Sequence, residues 1–216
     1  MQLNKNESYE TKRQQIIDGA LEVFATKGYD KANNKDIASA AGIRSAGLIY
    51  HYFKDKKALH REVLEQRLPI LQLLMNSKEL EGLPPEETLM RFGRSFLQVL
   101  EAPQSVSLLR LMLGGATRNA SVADIFWQAG PMRGLSFLEK YFRDAMKRGE
   151  LRQVDPAFAA MQFMGPLIMY LLSRVVFTNS VMFKIDANAM LEQHISLFLD
   201  ALRPGTKKSI NGEVTK

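Results

Sequence analysis

Apolar residues recur at three- and four-residue spacing along almost the whole chain, and no stretch alternates apolar and polar positions with β-branched residues. A chain with that single period has a narrow choice: packed helices, each burying one face. Only 8 prolines and 14 glycines punctuate the 216 residues, which favours long helices. The expected fold class is therefore all-α, without internal repeats or low-complexity tracts.

The pattern predicts a first helix over 11–27, with Ile16, Ile17, Ala20, Leu21 and Phe24 on its inner face and Gly28 as C-cap. A second, short helix opens at Asn33, whose side chain can cap the amide of Asp36, and stops at Gly42. A third begins near Ser45 and carries Leu48, Ile49, Tyr50, Tyr52 and Phe53. A fourth starts at about Asp55 and is expected to bend at Pro69. After a break at Gly82-Leu83-Pro84-Pro85, helical patterning resumes through Leu89, Phe92, Phe96 and Leu100, and further helices are expected over 104–117, 122–128, 131–148, 156–177 and 186–202. The organisation predicted is a three-helix unit over 1–54, a larger helical domain over 55–204 and a disordered polar tail over 205–216.

Several function classes are disfavoured at once. With no cysteine there is no disulfide framework, thiolate zinc site or cysteine nucleophile, which fits a cytoplasmic location. His51, His60 and His194 lie on separate helices without metal-ligand spacing, so neither a metal nor another cofactor is expected. Nothing resembles a phosphate loop, a carboxylate pair or a nucleophile elbow, so the chain is not expected to be an enzyme. The segment Met1 to Thr11 lacks the apolar core of a secretory signal. The longest apolar stretch, Ala157 to Phe177, is interrupted by Gln162, Pro166, Ser173 and Arg174, which argues for burial inside protein over a membrane span.

The formal net charge of +6 points to an anionic partner, although a merely basic soluble protein would carry it too. What favours DNA is the tight turn Ala41-Gly42-Ile43-Arg44 between the second and third helices. A helix-turn-helix needs glycine at the turn and a small residue where the backbones approach, and Gly42 and Ala38 occupy those positions. The third helix would enter the major groove with its N-terminal residues Arg44, Ser45, Ala46 and Gly47 toward base edges, Arg44 and Ser45 being alternative base readers. Lys31, Lys35, Lys54, Lys56 and Lys57 surround it, and between Lys31 and Lys57 only Asp36 and Asp55 oppose them.

These residues are similar to those of the tetracycline-repressor-like (TetR) regulators. The likeness runs through Phe24-Ala25-Thr26-Lys27-Gly28-Tyr29, Asp36-Ile37-Ala38, Ala41-Gly42-Ile43 and Gly47-Leu48-Ile49-Tyr50-His51-Tyr52-Phe53, followed by Lys56 and Leu59. Asn33 stands where the family usually has threonine. The resemblance implies that Asn33 caps the second helix and touches phosphate, that Ser45, Ala46 and Gly47 open the recognition helix, that Tyr50 and Tyr52 lie against the DNA backbone, and that Lys56 adds a phosphate contact. His51 could reach phosphate or a base. Two departures are visible: Asn34 is polar where an apolar residue is common, and the interval from Gly42 to Gly47 is one residue longer than usual.

In the second domain, Phe92, Phe96, Met112, Phe126, Trp127, Phe137, Phe163 and Met164 could be plain core or the lining of an apolar cavity, and the resemblance favours a cavity for a hydrophobic or aromatic inducer. The last two helices have apolar faces too wide for one contact. Met161, Ile168, Leu172 and Val175 on one, with Leu191, Ile195, Phe198 and Leu202 on the other, are expected to pair two copies into a homodimer. The reading is a ligand-responsive repressor on a partly palindromic DNA operator. Its rivals are a helical ligand carrier or small enzyme with an incidental basic surface, and a DNA-architectural protein without ligand response.

Overall fold

Proline decides where five of the eleven α-helices among the described residues begin. Pro69, Pro85, Pro103, Pro131 and Pro156 each stand in the first turn of a helix, where a missing N–H costs nothing because that position has no intrahelical acceptor. In the computed structural model, which describes residues 2–118, 120–177 and 185–205, the described residues form α1 (Gln2–Lys31), α2 (Asn34–Ala40), α3 (Ile49–Tyr52), α4 (Lys56–Arg67), α5 (Pro69–Met75), α6 (Pro85–Leu97), α7 (Pro103–Ala116), α8 (Ala120–Ala129), α9 (Pro131–Lys147), α10 (Pro156–Val175) and α11 (Ala187–Ala201). No strand occurs among them. The tail expected to be disordered lies outside the described residues from 206 onward.

Two expectations are corrected and a third is refined. Pro69 does not bend the fourth helix: Leu68, extended at φ −108°, separates α4 from α5, and the proline starts the new helix. The first helix begins at Gln2, well before Thr11, and a kink at Gly28 (φ 76°, ψ 168°) divides it from a last turn at 29–31. The third helix opens as a tight 3-10 turn, Ala46–Leu48, before its single α turn.

Two large cores result. In one, α6, α9, α10 and α11 bury Leu89, Phe92, Leu138, Phe142, Phe163, Leu167, Leu191 and Ile195. The other holds the N-terminal helices together through Ile16, Ile17, Phe24, Ile37, Ile49, Leu59 and Val63, and it continues through Leu71 of α5 and through Leu108 and Met112 of α7. The packing thus runs across the predicted division at 54 and 55. Polar contacts reinforce the join: Arg13 pairs with Glu62 at 2.8 Å, Arg67 with Asp18, and Arg133 of α9 with Glu65 at 2.8 Å. Helix α4 is therefore tied to α1 on one side and to α9 on the other.

The closest approach in the N-terminal unit was not foreseen. A Cβ on Gly19 would stand 2.5 Å from the backbone nitrogen of Ala41 and 2.8 Å from its Cα, so α1 and the turn after α2 meet backbone to backbone. Ala38 is buried as expected, but the residue whose smallness the crossing requires is Gly19. We predict that Gly19→Ala lowers unfolding stability by about 1–3 kcal/mol in urea titrations, the usual cost of overpacking. Gly47→Ala, whose added methyl meets only the Ser45 hydroxyl at 3.4 Å, should leave it nearly unchanged.

Candidate nucleic-acid interface

The turn from α2 into α3 is built from local hydrogen bonds. Asn33, extended at φ −125°, accepts from the Asp36 amide at 2.9 Å and caps α2. Gly42 takes the left-handed conformation (φ 64°), letting the Ile43 amide bond back to the Ala38 carbonyl at 3.0 Å. Ser45 caps the next turn by accepting from the Gly47 amide at 3.2 Å, and Asp55 caps α4 by accepting from Ala58 at 2.7 Å. Between these caps, buried Ile43, Ile49 and Phe53 pin the segment to the core, with Ala46 and Leu48 half-buried against it. What faces outward is Arg44, Ser45, Gly47, Tyr50, His51 and Lys54, with Tyr50 62% exposed. Asn33 and Lys35 are exposed on the neighbouring helix start.

Two residues assigned to DNA are turned inward. The Lys56 ammonium donates to the carbonyls of Tyr29 at 2.8 Å and Ala32 at 3.0 Å and lies 4.5 Å from the centre of the Tyr29 ring. Burial lowers its pKa, opposed by Asp30. Its role is to hold α4 against the end of α1, which leaves one proton at most for a phosphate. Tyr52 is half-buried against Tyr9 of α1, ring centroids 4.6 Å apart, and His51 meets both rings edge-on. No sequence signal marked Tyr9, because a lone aromatic in a polar helical turn matches no motif.

The eight residues assigned to a cavity do not line one open space. Phe92, buried, stacks on Phe137 at 5.8 Å and meets Phe163 edge-on at 6.2 Å, and Met164 is buried in the same core. Phe96 borders that core and the small cluster around Val99 and Val175, Met112 and Phe126 belong to the cluster shared with α1, and Trp127 is 49% exposed. The eight assigned to pairing also divide. Val175, Leu191, Ile195 and Leu202 are the chain's own core, and Leu172 and Phe198 are half-buried. Met161 and Ile168 remain outside, as do Phe158 and Met169 on the same helix and Leu197 on α11, Met161 63% and Leu197 71% exposed. Periodicity marked apolar faces but could not tell an outer stripe from an inner one on a helix apolar nearly all round. Helix α10 is long and apolar enough to cross a membrane by composition, yet one side of it is packed into the two cores containing Phe163 and Val175.

An all-α chain with a capped helix-turn-helix at one end and a larger helical body behind it is a DNA-binding regulator in architecture. Residues 16–63 match the model for bacterial regulatory proteins of the tetR family, and residues 87–204 match that for the AefR-like transcriptional repressor C-terminal domain. The chain belongs to the TetR family, whose members are transcriptional regulators and not enzymes. It is similar to the regulator SrpR of Pseudomonas putida, 29% identical over 143 residues, 66% of this chain and 64% of that one. A TetR-family regulator from Mesorhizobium loti superposes with a TM-score of 0.69 at 26% identity, covering 89% of this chain and 96% of that one. FadR of Bacillus subtilis, solved with stearoyl-CoA, shares the fold at 20% identity with a TM-score of 0.68, over 86% of this chain and 97% of that one. The first two curated relatives are matched over 25% and 64% of their own lengths.

Within this framework His60 is unusual. It is 1% exposed on α4, between the rings of Phe24 (4.8 Å) and Tyr29 (4.9 Å), and neither ring nitrogen has a hydrogen-bond partner among the described residues. Burial, and secondarily the Lys56 charge, lowers its pKa from 6.5 to about 4. The folded state thus favours the neutral ring. Stability is full above pH 6.5 and falls as pH drops toward 4, because the unfolded chain takes up the proton first. The loss should approach about 3 kcal/mol, one pKa unit being worth about 1.4. Replacing His60 by Phe should flatten the stability profile across that window in urea titrations; a slope identical to wild type would show that other groups set it.

Proposed function

We propose that the protein is a ligand-responsive transcriptional repressor that acts as a homodimer on a partly palindromic operator in the cytoplasm. The observation that carries this is the outward presentation of Arg44, Tyr50, His51 and Lys54 by a turn whose inner residues are fixed in the core. Arg44 is favoured as the base reader because its exposed guanidinium can offer two parallel donors to a guanine edge, whereas the Ser45 hydroxyl, which caps Gly47, keeps a single donor. Exposed Asn33, Lys35 and Lys54 would meet phosphates, and Gly47 would let the groove wall approach. The functional division follows the predicted limits, a reading unit over 1–54 and a sensing and pairing unit over 55–204, joined by the continuous core.

Two copies would pair through the outer stripe of α10, Phe158, Met161, Ile168 and Met169, with Leu197 of α11. The inducer would be hydrophobic or aromatic and would enter between α6, α9 and α10 by separating the rings of Phe92, Phe137 and Phe163. Family likeness to a C-terminal domain of repressors and the acyl-CoA complex of FadR support this reading. Binding shifts the population only if the released conformation holds the ligand more tightly than the gripping one.

Selection of bound sequences from a random duplex library should return an inverted repeat with half-sites about one helical turn or its multiple apart. The same selection with Met161→Glu, a change at an exposed position, should return single half-sites bound by a monomer. Recovery of sequences without two-fold symmetry by the wild-type chain would refute the dimeric operator.

A further inference from the structure

A cleft of about 210 Å³ opens between α4, α8 and α9, lined by Lys57, Arg61, Ile125, Gln128, Met132 and Arg133. Three of those six side chains are cationic. Arg133 is paired with Glu65 of α4, whereas Lys57 and Arg61 form no ion pair with a described residue. Lys57 and Arg61 stand four apart on one face of α4, where like charges repel, and both border the same concavity. Ile125 and Met132 give the opposite wall an apolar surface, and Gln128 adds an amide. Uncompensated positive charge in a recess with apolar walls focuses the field on whatever enters.

We infer that this cleft binds the anionic head of an amphipathic small molecule, a carboxylate or phosphate group, with its apolar portion against Ile125 and Met132. Lys57 and Arg61 neutralise the head, Arg133 is held ready by Glu65, and Gln128 donates a further hydrogen bond. The cleft has one wall on α4, next to the reading unit, and the other on α8 and α9. An anion seated there bridges the two and fixes the position of α4 relative to the body. The cleft is a second site, lined by none of the rings proposed to admit the apolar inducer, and only its effect on DNA binding rests on the repressor reading.

Trp127, the chain's single tryptophan, precedes Gln128 in the sequence, and binding is followed by its fluorescence together with titration calorimetry. The full-length protein is titrated with decanoate, decyl phosphate, decanol and inorganic phosphate. Saturable binding of decanoate or decyl phosphate, at least tenfold tighter than of decanol, and weakened roughly tenfold or more in the Lys57→Gln/Arg61→Gln variant, is the expected result. A thermal melt of that variant matching wild type keeps the comparison valid, since both positions are exposed or at the surface of α4. Equal affinity for decanol, or an unchanged decanoate and decyl phosphate affinity in the variant, overturns the site. So does a variant that loses DNA affinity with anion binding intact, for then the two cations serve the DNA backbone. Charge-dependent binding without release of DNA supports the site while counting against the repressor mechanism, so the two fail separately.

Discussion

The contact on which the rest depends is the meeting of α1, α4 and α7. Ile16, Ile17 and Phe24 from the first helix, Leu59 and Val63 from the fourth, and Leu108 and Met112 from the seventh form one apolar cluster. A three-helix unit of about 50 residues has little core of its own and is marginal alone. Here it borrows burial from the body behind it. That arrangement stabilises the reading surface and makes its orientation a property of the whole chain.

The polar contacts around α4 follow the same logic. Lys56 holds its start to the carbonyls of Tyr29 and Ala32, Glu62 and Arg67 bind it to α1, and Glu65 binds it to α9. Half-exposed ion pairs of this kind contribute little stability singly, about 0–1 kcal/mol each. Their value is geometric: they set which side of α4 faces which neighbour, while the apolar cluster supplies the energy. A buried neutral imidazole at His60, wedged between Phe24 and Tyr29, makes the same seam intolerant of added charge.

Much of this was legible in the sequence. The cap at Asn33, the glycine turn at Gly42, the inner residues Ile37 and Ile49 and the helical body all follow from rules that act over a few residues, and local rules are visible in a linear chain; Ser45, read there as facing bases, proves to cap the turn as well. Long-range relations were not. Gly19 looks like any glycine on a helix until Ala41 is found against it. Lys56 reads as a surface cation until its ammonium is found on two carbonyls from 24 and 27 residues earlier. Val175 and Ile195 carry the same apolar signature as Met161 and Leu197, yet the first pair is buried and the second bare, because period alone does not say what lies opposite a face.

The central claim, that the reading unit and the body share one cooperative core, is tested most directly by amide hydrogen exchange on the Met112→Ala variant, a cavity made on α7 beneath the N-terminal helices. The account predicts that protection falls together in α1, α2, α4 and α7, the amide of Ile37 included. Loosening confined to α7 and its neighbours, with Ile37 and the core of α1 as protected as in wild type, would contradict it.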